Sequence, residues 1–196
     1  MNPGKLRDRG FVLRLSGKEH LRWEPLCEVW LTGKSTGRKN LFSRVGIGAD
    51  GAEFLLRERD LTLDDAILWE GQHYFLTNLA KEGVHPVYWK VSAARVNPVD
   101  VTVKRDTVEK GALNRPVREE RKIGSFPGCV TEKYLGNSPQ DSHIESEERL
   151  IVVAPKAALY KKGDRFEFGG ERFRVEVVHS LENWKNEYEI RREEDD

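Results

Sequence analysis

Two kinds of residue cluster in this chain could in principle do chemistry. The run "LTGKSTG" contains Gly33-Lys34-Ser35, the ending of a phosphate-binding loop. The full pattern needs another glycine five positions before Gly33, where Glu28 stands. It also needs a helix immediately afterwards to aim backbone N–H groups at phosphate, and here Gly37 follows instead with no helical period behind it. The run therefore reads as a basic turn at a hairpin tip. The five histidines, His20, His73, His85, His143 and His179, show neither HxxxH nor HxH spacing and have no carboxylate cluster beside them, so they form no metal-ligand motif.

Nucleophiles fare no better. A serine nucleophile needs a strained elbow or a partnered base, and no G-x-S-x-G pattern occurs. Cys27 and Cys129 lie far apart in the apolar contexts "PLCEVW" and "PGCVTE", which suits buried free thiols rather than a disulfide framework or a zinc site. Asp64-Asp65 is accounted for by a turn before a strand. The residues thus suggest no enzyme, no catalytic group, no cofactor and no metal.

What would position these residues is a set of strands. In "KKGDRFEFGGERFRVEV" (161–177), Phe166 and Phe168 alternate with Arg165 and Glu167, and Phe173, Val175 and Val177 alternate with Arg172, Arg174 and Glu176. A period of two rich in aromatic and β-branched residues marks half-buried strands. Gly169-Gly170 between them can supply the positive φ of a two-residue hairpin turn. "NEYEIRRE" adds a third alternating run with Tyr188 and Ile190 on its inward face.

Ninety-nine residues earlier the pattern recurs. "DDAILWEGQHYFL" puts Ile67 and Trp69 where Phe166 and Phe168 stand, Glu70-Gly71 where the glycine pair stands, and Tyr74 and Leu76 where Phe173 and Val175 stand. Asp65 matches Asp164, just before the first strand; "VYWKV" puts Trp89 and Val91 against Tyr188 and Ile190; and "AEFLL" at 52–56 matches "LIVVA" at 150–154. Asp65, Gly71, Gly163, Asp164, Gly169 and Gly170 form the signature of the repeat. The expectation is a mostly β chain of two tandem small β-barrel or sandwich domains related by internal duplication. Residues 1–104 form the first, with an N-terminal arm whose "NPGKLRDRGFVLRL" has some amphipathic character; residues 129–196 form the second. The Gly- and Pro-punctuated residues 105–128 read as a linker, with a short helix near 106–113. Two long polar stretches read as loops, the basic "LTGKSTGRKN" (31–40) and the acidic "LGNSPQDSHIESEE" (135–148).

The totals fit a soluble chain with a large solvated surface: 196 residues, 34% charged and 38% hydrophobic, with 33 basic and 33 acidic side chains. The even balance gives no global basic excess to indicate nucleic acid, and five Trp and five Tyr fall largely at core positions rather than on a stacking platform. The charge is polarised nonetheless. Residues 1–104 carry 16 basic and 13 acidic side chains, and residues 105–196 carry 17 and 20, a distribution that suits stacking between unlike partners. No stretch has the apolar length of a membrane span or the apolar core of a signal peptide, so the expectation is a protein made in the cytoplasm with no membrane partner.

The segment from Arg149 to Glu193, with its strand, its Lys161-Lys162-Gly163-Asp164 and its alternating hairpin, resembles the head-completion (head–tail joining, head-closure or stopper) proteins of long-tailed bacteriophages. Tyr160 to Val175 carries the resemblance best; the earlier copy keeps Asp65 and Gly71 but lacks the glycine before the aspartate. Members of that family usually hold one such domain, and two in tandem is a departure. The resemblance implies a structural virion protein of the neck, a homo-oligomeric ring between the portal or adaptor and the tail-terminator or tail-tube protein. Such a ring seals the DNA channel, touches packaged DNA non-specifically and docks the tail. It also singles out Lys34, Ser35, Arg38 and Lys39 in the basic loop, and Asp141, His143, Glu145, Glu147 and Glu148 in the acidic one, as candidate interface or channel residues. The same pattern suits a tail-terminator, tail-tube or baseplate component, and a different class of reading is a host-encoded pair of SH3-like or OB-like binding modules.

Overall fold

The computed structural model describes residues 6–39, 49–82, 87–110, 116–132 and 149–193. The described residues form twelve strands and no helix: β1 (Asp8–Ser16), β2 (Arg22–Lys39), β3 (Ala49–Arg57), β4 (Ala66–Trp69), β5 (Gln72–Glu82), β6 (Tyr88–Val96), β7 (Val99–Lys110), β8 (Pro116–Glu132), β9 (Arg149–Pro155), β10 (Arg165–Phe168), β11 (Glu171–His179) and β12 (Lys185–Arg192). They close into two six-stranded barrels, β1-β2-β3-β6-β5-β4 and β7-β8-β9-β12-β11-β10. Replacing each strand of the first list by the strand six places later gives the second. The expected pair of tandem β-barrels is therefore present, and the two share one topology.

The correspondence reaches individual residues. Each barrel has a bulge at the same point of its first strand pair, where Leu26 is the extra residue opposite Val12 and Leu13, and Ile123 the extra residue opposite Val103 and Lys104. Each has another where the fifth strand crosses the sixth, at Thr77 and at Glu176, which accentuates twist and lets a short sheet curl shut. The hairpin turns also match: Glu70 and Gly71 have φ of 51° and 74°, and Gly169 and Gly170 have 60° and 82°. Ile67, Tyr74 and Leu76 line the first core and Phe166, Phe173 and Val175 the second, as the alternation predicts. For the sixth strand the ladders pair Val91 with Phe54 and Tyr188 with Val152, so Val91, rather than Trp89, is the counterpart of Tyr188.

The structure moves the domain boundary. Residues 99–110 and 116–132, read from the sequence largely as a linker (105–128), are the first two strands of the second barrel, and the first barrel ends at Val96. The reason is physical: beyond Lys104, β7 pairs only with β8, forming a two-stranded ribbon, exposed at Asp106, Val108 and Glu119 to Lys122, that shows no apolar period. Residues 106–110 are strand rather than helix, and the start of the chain enters the barrel as β1. The basic stretch at 31–39 is not a loop but the second half of β2, paired with β3.

The two barrels pack against each other. Phe75, Ala94 and Val96 on the outside of the first meet Ile151 and Val153 on the outside of the second, with Trp23, Cys129 and Trp184 around them. The β1–β2 turn reaches across as well: Leu21 is buried in the core of the second barrel, and Leu15 packs against it.

Candidate interaction surfaces

The most regular polar feature is a buried clamp present once per barrel. Asp65 and Asp164 are 2% and 1% exposed, each just before the fourth strand of its barrel. Each folds back on its own turn: Asp65 Oδ2 accepts from the Thr62 amide at 2.8 Å, and Asp164 Oδ2 from the Lys161 amide at 2.9 Å. Each also receives an arginine from the first strand. Arg14 Nε reaches Asp65 Oδ1 at 3.2 Å, and Arg105 Nε and Nη2 grip Asp164 at 2.6 and 2.7 Å. The hydrogen bond that Arg105 donates to Asp164 is the main reason its guanidinium titrates above its ordinary value, as the one Arg14 donates to Asp65 is for Arg14. This clamp ties the first strand to the turn that launches the repeated hairpin. Its role is structural, and it explains why an aspartate stands at both positions.

Gly33, the middle of the phosphate-loop lookalike, has an equally structural reason. A Cβ there would stand 2.6 Å from the Trp69 ring, which packs directly on the β2 backbone. Gly33-Lys34-Ser35 lies in a strand whose Lys34 and Ser35 side chains are exposed and whose neighbours are Glu53 and Ala52 of β3. Arg38 and Lys39 continue that ladder opposite Asp50 and Ala49, and their side chains lie outside what the structure describes. Asp141, His143, Glu145, Glu147 and Glu148 all fall in 133–148, outside the described residues. The structure therefore gives no common site to the basic and acidic candidates.

Other groups settle into packing roles. Cys27 and Cys129 are free and half-buried; Arg59 Nη1 donates to Cys27 Sγ at 3.0 Å, and burial pushes the Cys129 thiol up. Tyr188 donates to the Ala158 carbonyl at 2.6 Å inside the second barrel. Burial pushes Tyr160 and Tyr188 each up to about 12. Lys185 and Glu187 form a buried ion pair at 2.6 Å on β12, with burial lowering the Lys185 ammonium below 10.5. Among the described residues no group of three His, Cys, Asp or Glu side chains is placed to hold a metal ion, and no helix is long and apolar enough to cross a membrane.

Two surface features were not legible in the sequence, because each depends on where a strand changes partner. The β2–β3 ladder begins at Leu31, so the first half of β2 has β1 on one side and no strand on the other among the described residues. The gap between this half and the run after β3 is a groove of about 490 Å³ lined by Leu6, Glu28, Val29, Trp30, Arg57 and Arg59. Trp30 is 52% exposed beside it, with the Arg9 guanidinium 4.8 Å from its ring. The second feature is the projecting β7–β8 ribbon, stapled at its base where Arg165 meets Asp106 and Glu120 and where Lys104 meets Glu120 and Glu167. Comparison with protein-family models, curated proteins and solved structures gave no match.

Proposed function

We propose that this chain is a structural subunit of a bacteriophage connector, assembling into a ring between the head and the tail. The observation that carries the reading is the Lys-x-Gly-Asp turn and alternating hairpin at 161–177, the motif through which the chain resembles head-completion proteins. Its setting supports the reading. The motif sits in a small closed barrel, its aspartate is a buried fastening point, and the same barrel is built twice in tandem. Each copy would thus contribute two barrels to the ring wall. The charge difference between the halves supplies unlike faces for a portal-side and a tail-side neighbour. The protein would work as a gasket and docking surface, without a cofactor.

Charge reversal of Lys34, Arg38 and Lys39 to glutamate tests the reading where it is most specific. These substitutions lie in the second half of β2 and are expected to leave the circular dichroism of the free protein unchanged while abolishing the joining of heads to tails in an assembly reaction. Heads that join tails normally with the triple variant would remove the basic strand from the contact surface.

A further inference from the structure

The two barrels share a topology but not the state of one edge, and the difference marks a binding site. In the second barrel the edge of β8 at Ser125 carries an added stretch of main chain, the turn between β1 and β2. The Ser125 amide donates to the Glu19 carbonyl at 2.8 Å, its carbonyl accepts from the Leu21 amide at 2.8 Å, and His20 bridges it in parallel. Small residues make the room. A Cβ at Gly124 would stand 2.5 Å from the Glu19 carbonyl oxygen, and Ala158 shares the second core with the buried Leu21.

The first barrel has the same edge without the occupant. The matching bulges equate Gly124 with Cys27, Ser125 with Glu28, Phe126 with Val29 and Pro127 with Trp30. Glu28, Val29 and Trp30 line the open groove described above. By the equivalence with Ser125, the Glu28 amide and carbonyl face the groove rather than β1, and among the described residues neither meets a main-chain partner there. The floor differs. Trp89 Nε1 donates to the Arg59 carbonyl at 2.8 Å as Asn186 Nδ2 does to the Ala158 carbonyl, and Trp89 and Asn186 hold one position on the sixth strands. Arg59 thus stands where Ala158 makes room for Leu21, and a thiol and a guanidinium replace two small residues. Charge is left over at this floor. Arg59 gives Nη1 to Cys27 Sγ, a weak acceptor, and its Nε is buried without a hydrogen-bond partner. Arg57 is exposed at the groove, and the carboxylates nearest in the chain or the groove are committed elsewhere: Glu28 to Arg9, Glu58 to Lys81 and Asp60 to Arg14. Buried polar groups are nearly always paired, so an orphaned N–H here points to a ligand that brings acceptors.

We infer that the barrel-one groove binds an extended acidic segment of a partner protein, which adds to the β2 edge at Glu28 as the β1–β2 turn adds to β8 at Ser125. Main-chain bonds to Glu28 set its register, as in other strand additions to an open sheet edge. The residue at the place of Leu21 is an aspartate or glutamate, and its carboxylate takes the unused donors of Arg59 and Arg57 in charge-assisted hydrogen bonds. An apolar residue at that place would cover the guanidinia without giving them an acceptor, and a basic one would repel them. The Trp30 ring, 52% exposed, offers the segment an apolar surface beside the charged floor.

The site does not depend on the connector reading, and either stands if the other fails. The probe is the acetylated, amidated heptapeptide Thr-Glu-Val-Glu-Val-Glu-Thr, titrated into the full chain and followed by amide NMR. Shifts are expected at the Glu28 and Trp30 amides and the Trp30 indole, with slowed hydrogen exchange at Glu28. Replacing the peptide glutamates by glutamine, or Arg59→Gln in the protein, should weaken binding about tenfold or more. Arg57→Glu changes an exposed side chain and keeps the test sound if Arg59→Gln unfolds: it should weaken the glutamate peptide and favour its lysine counterpart. No shift at these groups up to millimolar peptide, or equal binding of the glutamate, glutamine and lysine peptides, would overturn the inference. Glutarate alone binding as tightly as the peptide would reduce the groove to an anion pocket without strand addition. A single-stranded oligonucleotide shifting the same groups at lower concentration than the peptide would assign the edge to nucleic acid. Either result would overturn the inference as well.

Discussion

At the scale of single residues, the two aspartates Asp65 and Asp164 fasten the repeat. Removing one partner of a buried charged pair is costly, because the remaining group keeps its burial and loses its compensation. Asp164 is held more tightly than Asp65, with arginine contacts of 2.6 and 2.7 Å against 3.2 and 3.3 Å, and Arg14 is shared with Asp60. Asp164→Asn is therefore expected to cost about 2–3 kcal/mol, and Asp65→Asn less, in urea unfolding followed by tryptophan fluorescence. Equal midpoints for both variants and the wild type would remove the clamp from the account. The aspartates were legible because they stand at the same offset as the hairpins they precede. Their arginines were not. Arg14 and Arg105 are 91 residues apart rather than 99, since the turn-and-loop lengths between strands differ in the two copies, and nothing local marks them as partners.

At the scale of elements, strands with one wet and one dry face announced themselves and the two-stranded ribbon did not. Phe166, Phe173 and Val175 alternate with charge because β10 and β11 wrap a core. Arg105 to Lys110 and Pro116 to Lys122 alternate with nothing, because that part of β7 and β8 is a free ribbon, and its composition reads as a linker. The glycines inside β8 added to the misreading. Gly124 is there for the Glu19 carbonyl and Tyr160 hydroxyl, and Gly128 for the Val152 side chain, rather than for a turn. The docking of one barrel's turn on the other's edge rests on that space. Gly124→Ala should displace the turn, raising hydrogen exchange at the Leu21 and Ser125 amides at least tenfold while the β10–β11 hairpin stays protected, a fall of about 1.4 kcal/mol or more in the local opening free energy. Unchanged exchange at both amides would mean that the turn is not held by this contact.

At the scale of the whole molecule, the duplication was legible as a pattern, and the structure extends it to strand order, bulges and clamps. The way the barrels face each other was not, because Phe75, Ala94, Ile151 and Val153 look like any outward strand residues until another sheet covers them. The basic and acidic stretches stand out in the sequence by charge and length, properties that do not fix position; residues 31–39 are strand. The central claim is that this doubled barrel is a ring-forming connector subunit. The most direct test is negative-stain electron microscopy of the purified protein, with mass from light scattering, alone and after mixing with neck and tail components. The account predicts rings, or recruitment into neck-like particles, with two barrels per chain around the wall. A strict monomer that enters no such particle would contradict it and would favour a free-standing pair of binding modules.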